Sequence, residues 1–212
     1  MSDADRPSLS GSFVGAILLA AGGSTRLGRP KQLLAYRGRT LLRHAAEQAL
    51  ASRARPVVVV LGADEARCQQ ELAGLAATDV VSVPNPDWAV GMGSSIRTGV
   101  TALMGHAPDV RGAIILLCDQ PLVTAEVLDT LIARHVEAPA ATIAAHYAGE
   151  PGVPALFPRA RFGELAQLDG ASGAKRLLRA TEASPLVTVP CPGAAIDVDT
   201  LADYEALPHA AP

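Results

Sequence analysis

The chain of 212 residues is poor in aromatic residues, which make up 3% of it and include a single tryptophan. Proteins that bind single-stranded nucleic acid stack bases on aromatic side chains, so this scarcity argues against such a function. The chain also lacks an excess of positive charge, since its formal net charge is −3. We therefore expect no nucleic-acid or anionic-membrane surface, and any binding of anions must be local.

Cysteine is scarce as well, with three residues, Cys68, Cys118 and Cys191. An odd number with wide spacing matches neither a disulfide framework nor a zinc site, and it indicates the reducing cytoplasm. The polar segment 1–12 does not resemble a signal peptide, and we expect it to be a flexible arm. The apolar run at 13–21 is too short to span a bilayer, so no membrane partner is expected.

Short apolar runs are what the chain has in abundance. Residues 14–20, 56–62 and 112–119 are continuously apolar, which is typical of strands buried on both faces of a parallel sheet. Helices are predicted over 40–53, 64–76, 94–106 and 124–136, with caps at Thr40, at Thr124 and at the acidic start of 64–76. This alternation predicts an α/β fold, a Rossmann-like three-layer α/β/α arrangement with a mostly parallel sheet.

After about residue 140 the alternation is less regular. Strands are predicted over 79–85, 141–147, 152–157, 185–190 and 195–199, a mostly helical stretch over 158–180 and a last helical turn or two over 200–207. No linker interrupts the pattern, so we expect a single domain over 13–207.

The segment AGGSTRLGRPK at residues 21–31 follows the first predicted strand directly. Ligands of doubly wound sheets lie beyond the carboxyl ends of strands, so this position makes the segment a candidate binding loop. Gly22 and Gly23 let a ligand approach the backbone, and neighbouring amides can point together at an anion. Positive charge comes from Arg26, Arg29 and Lys31, and no acidic residue occurs over 7–46. The spacing alone leaves open an ordinary loop with solvated cations.

The glycine pattern matches neither the Walker A motif nor the GxGxxG fingerprint. Instead, LAAGGSTRLGRPK at 19–31 resembles the LAAGxSxRxGxxK signature of NTP transferases that include the molybdenum cofactor cytidylyltransferases and their guanylyl relatives. In that family the loop wraps the nucleoside triphosphate, and its lysine holds the phosphates. The resemblance implies nucleotide contacts from Leu19, Ala20, Ala21, Gly22, Gly23 and Lys31, with Arg26 and Lys31 as catalytic residues. Cytidylyl members carry LAAG and guanylyl members LAGG, and a methyl group at Ala21 would narrow the base pocket against a purine, which favours CTP.

Asp119 ends the predicted strand 112–119 and faces the same crevice. A triphosphate normally brings Mg²⁺, which prefers oxygen ligands, although a helix or turn cap is the alternative for this residue. The related enzymes carry CDxP here and use its aspartate for magnesium. The resemblance therefore implies that Asp119 is catalytic and binds Mg²⁺, with Mn²⁺ as a substitute, whereas Cys118 is expected to be a buried small residue rather than a nucleophile.

Asp197 and Asp199 are two residues apart, so on a strand they would point to one face. The segment AIDVDTLADY resembles the family's DIDTPEDY, which implies that one of these two aspartates supplies a second metal contact without deciding which. A helix N-cap at Asp199 or Thr200 is the alternative. Asp203 and Tyr204 are expected to cap and pack the last helix.

Two further segments resemble the family's substrate loops. Residues 85–99 resemble GMxxSLRxG, which implies base contacts from Gly93, Ser94 and Ser95, although both serines are also candidate helix caps. GEPGVPALF and LDGASGAKRLL resemble GxxGxPxLF and GDxGARxLL, which implies acceptor contacts from Gly152, Pro154 and Lys175. The family's acid is Ala171 here and its arginine is Lys175, and lysine lacks the bidentate fork for phosphate.

The resemblance implies transfer of CMP from CTP to the phosphate of molybdopterin-type molybdenum cofactor, with release of pyrophosphate. The nucleotide-binding half would be residues 13–138 and the acceptor-binding half 139–207. The alternatives are another phosphorylated acceptor, GTP as the donor, or a non-catalytic nucleotide- or cofactor-binding maturation factor for molybdenum hydroxylases. Such a hydroxylase or its maturation factor is the expected protein partner.

Overall fold

The computed structural model describes residues 13–75, 79–170, 178 and 185–207. In this part of the chain the strands are β1 (Val14–Ala20), β2 (Ala35–Tyr36), β3 (Arg39–Thr40), β4 (Val57–Leu61), β5 (Val80–Pro84), β6 (Gly112–Leu117), β7 (Thr142–Tyr147), β8 (Glu150–Pro158) and β9 (Leu186–Pro190). The helices are α1 (Leu41–Ala51), α2 (Glu65–Leu72), α3 (Met92–His106), α4 (Ala125–Glu137), α5 (Phe162–Ala166) and α6 (Leu201–Ala206).

Seven of these strands form one sheet in the order β5-β4-β1-β6-β8-β7-β9. Neighbours pair in parallel except at β8, which runs antiparallel to both β6 and β7. The pair β2 and β3 forms a separate antiparallel hairpin. The predicted mostly parallel α/β arrangement is confirmed. Strand β1 lies near the centre of the sheet, with β4 and β5 on one side of it and β6 on the other.

Helices cover both faces of the sheet, because alternate residues of β1 pack into two different clusters. Ala16 and Leu18 belong to the cluster that contains residues of α1 and α4, whereas Ile17 and Leu19 belong to the one that contains residues of α3 and α5. Every residue of β1 is buried. Each fully buried aliphatic side chain contributes about 1.5–3 kcal/mol, so the sheet is fixed firmly beneath the loops at its edge.

Two of the predicted helix caps, Asp64 and Thr124, occupy the cap position but make no side-chain capping bond, and the predicted cap at Ser94 is wrong. Asp64 precedes α2 with a left-handed φ of 58° and makes no capping hydrogen bond, because side-chain capping normally requires an extended residue at that position. Thr124 makes no side-chain capping bond at α4 either. Helix α3 begins after Gly91, so Ser94 lies inside it, where its hydroxyl donates to backbone carbonyls. Thr40 does cap α1, by accepting a hydrogen bond from the Arg43 amide.

One expectation for the second half is also wrong. Residues 195–199 do not form a strand, because Pro192–Ala195 is a 3-10 turn and the Val198 amide donates to the carbonyl of Asp119 instead of joining a ladder. The stretch 158–180, predicted to be mostly helical, is helical over Arg159–Arg161 and α5, and residue 178 also lies in a 3-10 turn. Residues 171–177, 179 and 180 lie outside the described residues. Within the described ranges, the helices are too short or too polar to cross a membrane.

Candidate active site

A cavity of about 370 Å³ lies at the carboxyl ends of β1 and β6. Its lining comes from the glycine loop after β1, the turn before α3 and the end of β6, and comprises Leu19, Ala20, Ala21, Gly22, Gly23, Ser24, Thr25, Lys31, Gln32, Trp88, Ala89, Gly91, Met92, Ser95, Leu117, Cys118 and Asp119. The structure thus brings together most of the residues predicted to hold the nucleotide. Gly93 and Ser94 are buried beside this cavity but do not line it.

The glycine loop is shaped by a buried glutamine, Gln32, that is 1% exposed. Its side-chain amide donates to the carbonyl oxygens of Ala20, at 3.0 Å, and Gly22, at 2.6 Å. Ser24, which has a left-handed φ of 50°, accepts a hydrogen bond from the Lys31 amide at 3.0 Å. These bonds fold the loop back on itself and place the Lys31 side chain over the end of the sheet.

Lys31 is the centre of a group of four charged side chains. Its ammonium group contacts Asp119 directly and lies 2.9 Å from Asp199. Arg26 binds the second oxygen of Asp199 at 2.7 Å. The Lys31 side chain is 17% exposed, whereas that of Arg26 is 71% exposed. Asp199 therefore pairs with one largely buried cation and one exposed cation.

Although no acidic residue is close to the loop in sequence, acidic side chains lie next to it in the folded protein. The carboxylates come from the end of β6 and from the C-terminal segment, rather than from neighbours along the chain. Arg29, the third cation of the loop, lies over the ring of Tyr204 at 5.5 Å. Folding thus brings groups from distant parts of the chain to all three cations of the loop.

The pKa values follow from this arrangement. Burial disfavours the charged form of Lys31, but the charge of Asp119 and the hydrogen bonds that Lys31 donates to Asp119 and Asp199 outweigh it and raise the pKa of Lys31. Burial also disfavours the charged form of Asp199, which by itself would raise its pKa. The hydrogen bonds and charges of Lys31 and Arg26 outweigh burial and lower the pKa of Asp199. Lys31 is therefore positively charged, and Asp199 negatively charged, at neutral pH.

Asp197 and Asp199 have different surroundings, although they are two residues apart. Asp199 pairs with Lys31 and Arg26, whereas Asp197 is exposed. Burial of part of its surface, followed by the negative charges of Asp199 and Asp119, raises the pKa of Asp197. Of the two predicted metal-binding candidates, Asp199 is the one that shares a cation with Asp119.

The last segment of the chain is fixed in place by its own bonds. The Val198 amide donates to the carbonyl of Asp119 at 3.0 Å. Thr200 and Asp203 form a reciprocal capping box at the start of α6, and the Asp203 carboxylate also accepts from the amide of Asp199. The Tyr204 hydroxyl donates to the carbonyl of Ala35. As expected, Asp203 caps and Tyr204 packs, and together they hold Asp199 against the glycine loop.

The donor set fits a divalent cation. The Oδ1 atom of Asp119 is buried without a hydrogen-bond partner in the described part of the chain, and its other oxygen is shared with Lys31. No group of three or more His, Cys, Asp or Glu side chains among the described residues is arranged to hold a metal. Mg²⁺ commonly takes one or two protein carboxylates and completes its shell with phosphates and water, which is the set that Asp119 and Asp199 offer.

Cys118 lines the cavity beside Asp119 and is 3% exposed. Burial and the neighbouring charge of Asp119 raise the pKa of its thiol, which keeps the sulfur protonated at neutral pH. The expectation that Cys118 is a buried small residue and no nucleophile agrees with this environment.

The predicted acceptor residues lie on β8, beside the end of β6. Gly152 leaves space for the ring of Tyr147, and Gly152 and Pro154 flank Val153, whose carbonyl accepts a hydrogen bond from Gln120 at 3.2 Å. Gln120 also donates to the carbonyl of Ala194 at 2.8 Å. It therefore connects the strand that carries Asp119 to two segments of the second half. The third predicted acceptor residue, Lys175, lies outside the described residues.

Sequence reasoning missed several residues that shape this site. Gln32, Gln120 and Asn85 are buried side-chain amides, and each joins separate segments through hydrogen bonds. A single amide beside an apolar run is the only sequence signal, and Gln32 stands before Leu33 and Leu34 in this way. Trp88 also lines the cavity, although no motif assigns it a role.

Comparison with known proteins decides the family. The family model described as the MobA-like NTP transferase domain matches residues 16–185, which include the whole glycine loop and Asp119. The chain belongs to this family. The resemblance seen in the glycine loop is therefore confirmed.

Relatives of this chain are named for different activities. It is 41% identical to nicotine blue oxidoreductase of Paenarthrobacter nicotinovorans over 137 residues, which are 64% of this chain and 61% of that relative. It is 34% identical to 2-C-methyl-D-erythritol 4-phosphate cytidylyltransferase of Streptomyces avermitilis over 139 residues, 62% of this chain and 53% of the relative. The chain thus spans less than two thirds of the length of both.

Among solved structures, Rv0371c of Mycobacterium tuberculosis is 32% identical and superposes with a TM-score of 0.75, covering 92% of this chain and 96% of that one. A second structure of Rv0371c contains manganese, with 30% identity, a TM-score of 0.72 and coverage of 91% and 96%. These neighbours have the same single-domain fold along nearly their whole length.

Proposed function

We propose that this MobA-like transferase moves CMP from CTP to the phosphate of a molybdopterin-type molybdenum cofactor and releases pyrophosphate. The observation that carries the proposal is the convergence of Lys31, Asp119 and Asp199 at the glycine loop, where Lys31 and Asp119 line the cavity. Two cations and two carboxylates at the carboxyl end of a central strand suit a substrate that is a polyanion accompanied by a metal.

The chemistry requires bringing anions together. An oxygen of the acceptor phosphate attacks the α-phosphorus of CTP, the bond from that phosphorus to the bridging oxygen breaks, and pyrophosphate leaves with the bonding electrons. A phosphate monoester is already anionic at neutral pH, so no side chain has to remove a proton. Positioning and neutralisation of charge therefore supply most of the rate enhancement.

Lys31 and Arg26 are the groups of this chain that neutralise the phosphates. Lys31 stays protonated because Asp119 and Asp199 raise its pKa, so it can hold a phosphate oxygen throughout the reaction. Arg26 is exposed at the rim and can follow the departing pyrophosphate toward solvent. Asp119 and Asp199 would hold a divalent ion, Mg²⁺ or Mn²⁺, and that ion supplies positive charge across the phosphates when bound.

CTP is the proposed donor because of Ala21, which is 4% exposed and lines the cavity directly before the glycine pair. The cytidylyl members resemble this chain at that position, and a methyl group there reduces the space for a two-ring base. The relative from Streptomyces avermitilis is by name a cytidylyltransferase, which supports the same donor.

The acceptor is proposed from the second half. Gly152 and Pro154 lie on the strand beside Asp119, where an acceptor phosphate can approach the α-phosphorus from the side opposite the leaving group. Lys175 would supply a single positive charge to that phosphate. The recipient of the product would be a molybdenum hydroxylase or its maturation factor.

The direct experiment is to combine the protein, Mg²⁺ and molybdopterin-type cofactor with each of CTP, GTP, ATP and UTP, and to measure pyrophosphate. We expect release with CTP alone. Equal release with GTP would contradict the assignment of the base, and release with CTP only when a different phosphorylated acceptor is supplied would contradict the assignment of the cofactor.

An Asp119→Ala variant tests the carboxylate. Turnover should fall by at least about 100-fold, as expected for the loss of a central electrostatic group. Asp109→Ala, which changes an exposed acid in the loop before β6, is the matched control and should retain full activity. Near-normal activity of Asp119→Ala would remove this residue from the metal site.

A redox activity is the second candidate, because the relative that shares 41% identity is named an oxidoreductase. It predicts a change in the absorbance of nicotine blue when an electron donor or acceptor is supplied, without pyrophosphate release. A non-catalytic maturation factor would instead bind CTP and release no pyrophosphate with any acceptor. The same set of assays therefore separates the three functions.

A further inference from the structure

Trp88 is the single tryptophan of the chain and lies at the rim of the cavity. It begins the 3-10 turn Trp88–Val90, between β5 and α3, and is partly buried. The other neutral residues in this part of the lining are Ala21, Ala89 and Met92. This end of the cavity therefore has an apolar surface, whereas Lys31 and Asp119 make the other part charged.

Two glycines leave the space that the indole occupies. A Cβ at Gly62 would come within 2.7 Å of the Cβ and Cγ atoms of Trp88, and a Cβ at Gly23 would come within 2.8 Å of its six-membered ring. The indole thus lies directly against the backbones of the loops that follow β4 and β1. A side chain at either position would displace it.

Ala21 lies close to the same point. The imagined Cβ of Gly62 would be 2.6 Å from the carbonyl oxygen of Ala21, as well as 2.7 Å from Trp88. The Ala63 amide donates to that same carbonyl at 3.0 Å, which fixes the backbone of Ala21 beside Gly62. Trp88 and the residue proposed to select the base are therefore neighbours across one glycine.

The turn that carries Trp88 is held by Asn85, which is 3% exposed. Its side-chain amide donates to the hydroxyls of Ser94 and Ser95, at 2.9 and 3.0 Å, and its own backbone amide donates to the carbonyl of Leu61. Ser94 donates in turn to the carbonyl of Asp87 at 2.9 Å. The turn is thus tied at both ends, and it holds the indole in a defined position.

We propose that the Trp88 indole is the wall of the nucleotide pocket against which the base packs, and that with Ala21 it limits the pocket to a single-ring base. This rests on the proposed function only in requiring that a nucleotide binds with its phosphates at Lys31. The charged part of the lining suits the phosphates, and an aromatic ring beside small apolar residues suits the base, since any base stacks on an aromatic side chain.

The experiment measures binding without the acceptor. CTP added to the wild-type protein should change the emission of its one tryptophan, whereas inorganic pyrophosphate should change it little. In calorimetry, Trp88→Ala should weaken CTP about 10-fold, a typical loss for one stacked base, while leaving the affinity for pyrophosphate unchanged. Trp88→Phe should restore most of the CTP affinity, because it keeps an aromatic face.

Val90→Ala is the matched control, since Val90 lies in the same turn, is 63% exposed and is not part of the cavity lining. It should leave CTP affinity unchanged. Trp88 would be only a structural support for the loop if Trp88→Ala weakened CTP and pyrophosphate equally, and the proposal would be wrong. It would also be wrong if neither affinity changed, or if Trp88→Ala left the preference for CTP over GTP intact.

These results separate from those on the proposed function. A base-dependent signal from Trp88, found in a protein that releases no pyrophosphate with any acceptor, would support the pocket wall and contradict cytidylyl transfer. Pyrophosphate release with CTP, together with a Trp88→Ala variant of normal CTP affinity, would support cytidylyl transfer and contradict the role of Trp88 as the pocket wall.

Discussion

Beside the charged end of the cavity, ion pairs join Lys31 and Arg26 to Asp119 and Asp199. At the other end, the indole of Trp88 occupies space left by two glycines, on a turn that hydrogen bonds of Asn85 hold in place. The charged end depends on groups that attract one another over several ångströms. The apolar end depends on the absence of side chains at glycines. Substitutions that remove a charge should therefore mainly lower the reaction rate. Substitutions that add a side chain at these glycines should mainly lower the free energy of unfolding.

The largest effect should come from the charged end. Lys31→Met should reduce kcat/KM for pyrophosphate release by about 100- to 1,000-fold, because it removes a buried cation aimed at the phosphates. Arg26→Met should cost less than about 10-fold, since a side chain that is 71% exposed is screened by solvent. Steady-state kinetics on both variants check this, and equal losses would show that depth does not distinguish the two cations.

The apolar end is tested by Gly62→Ala. The added methyl group would meet the backbone oxygen of Ala21 and the side chain of Trp88, so the free energy of unfolding should fall by about 3 kcal/mol, at the upper end of overpacking costs. Gly22→Ala is the matched control, because nothing lies within 4 Å of its Cβ, and it should change stability by less than about 0.5 kcal/mol. Urea denaturation measures both, and similar values would mean that the indole has room to move.

Gln32→Leu tests the glycine loop, which connects the charged end of the cavity to the apolar end. The carbonyl oxygens of Ala20 and Gly22 would lose their donor, which should lower the free energy of unfolding by about 2 kcal/mol. Gln48 on α1, which accepts one hydrogen bond from the Ala125 amide and is only partly buried, is the control. Gln48→Leu should cost less than about 1 kcal/mol in the same denaturation experiment, and a larger cost there than at Gln32 would count against the role of Gln32 in the loop.

The smallest predicted effects are changes in stability of opposite sign when Asp197 and Asp199 are replaced. The lowered pKa of Asp199 contributes stability above its unfolded value of 3.8, and this stability is lost as pH falls through the lower folded value. The raised pKa of Asp197 destabilises the fold instead, beginning as pH rises through 3.8 and fully above its folded value. At pH 7, Asp199→Asn should therefore lower the melting temperature and Asp197→Asn should raise it, each by less than about 1 kcal/mol in free energy. Melting curves at pH 3 and pH 7 check both, and shifts of the same sign at pH 7 would contradict the assignment.

Much of the fold could be predicted because β1, β4 and β6 are continuous apolar runs, and such runs are strongly favoured in buried parallel strands. The glycine loop and Asp119 could be predicted for a related reason, since both stand where a buried strand ends. Ser94 was misassigned because a serine in the first turn of a helix can also donate backwards to carbonyls, and sequence does not separate the two.

The contacts that complete the site could not be predicted in the same way. Lys31 and Asp199 are 168 residues apart, and no local periodicity indicates that they meet. Their contact depends on the Val198 amide, which donates to Asp119 rather than to a neighbouring strand. Gln32 was missed because its partners are carbonyl groups of the backbone, which every residue has.

The distance in sequence between Lys31 and Asp199 has a consequence for how the protein is made. During translation the sheet through β6 can assemble while the carboxylate that Lys31 and Arg26 share has not yet been synthesised. A ribosome that stops before codon 199 would release a chain that has the central strands but lacks one of the two carboxylates that pair with Lys31. The charged group around Lys31 is thus completed only after every strand of the seven-stranded sheet has been synthesised.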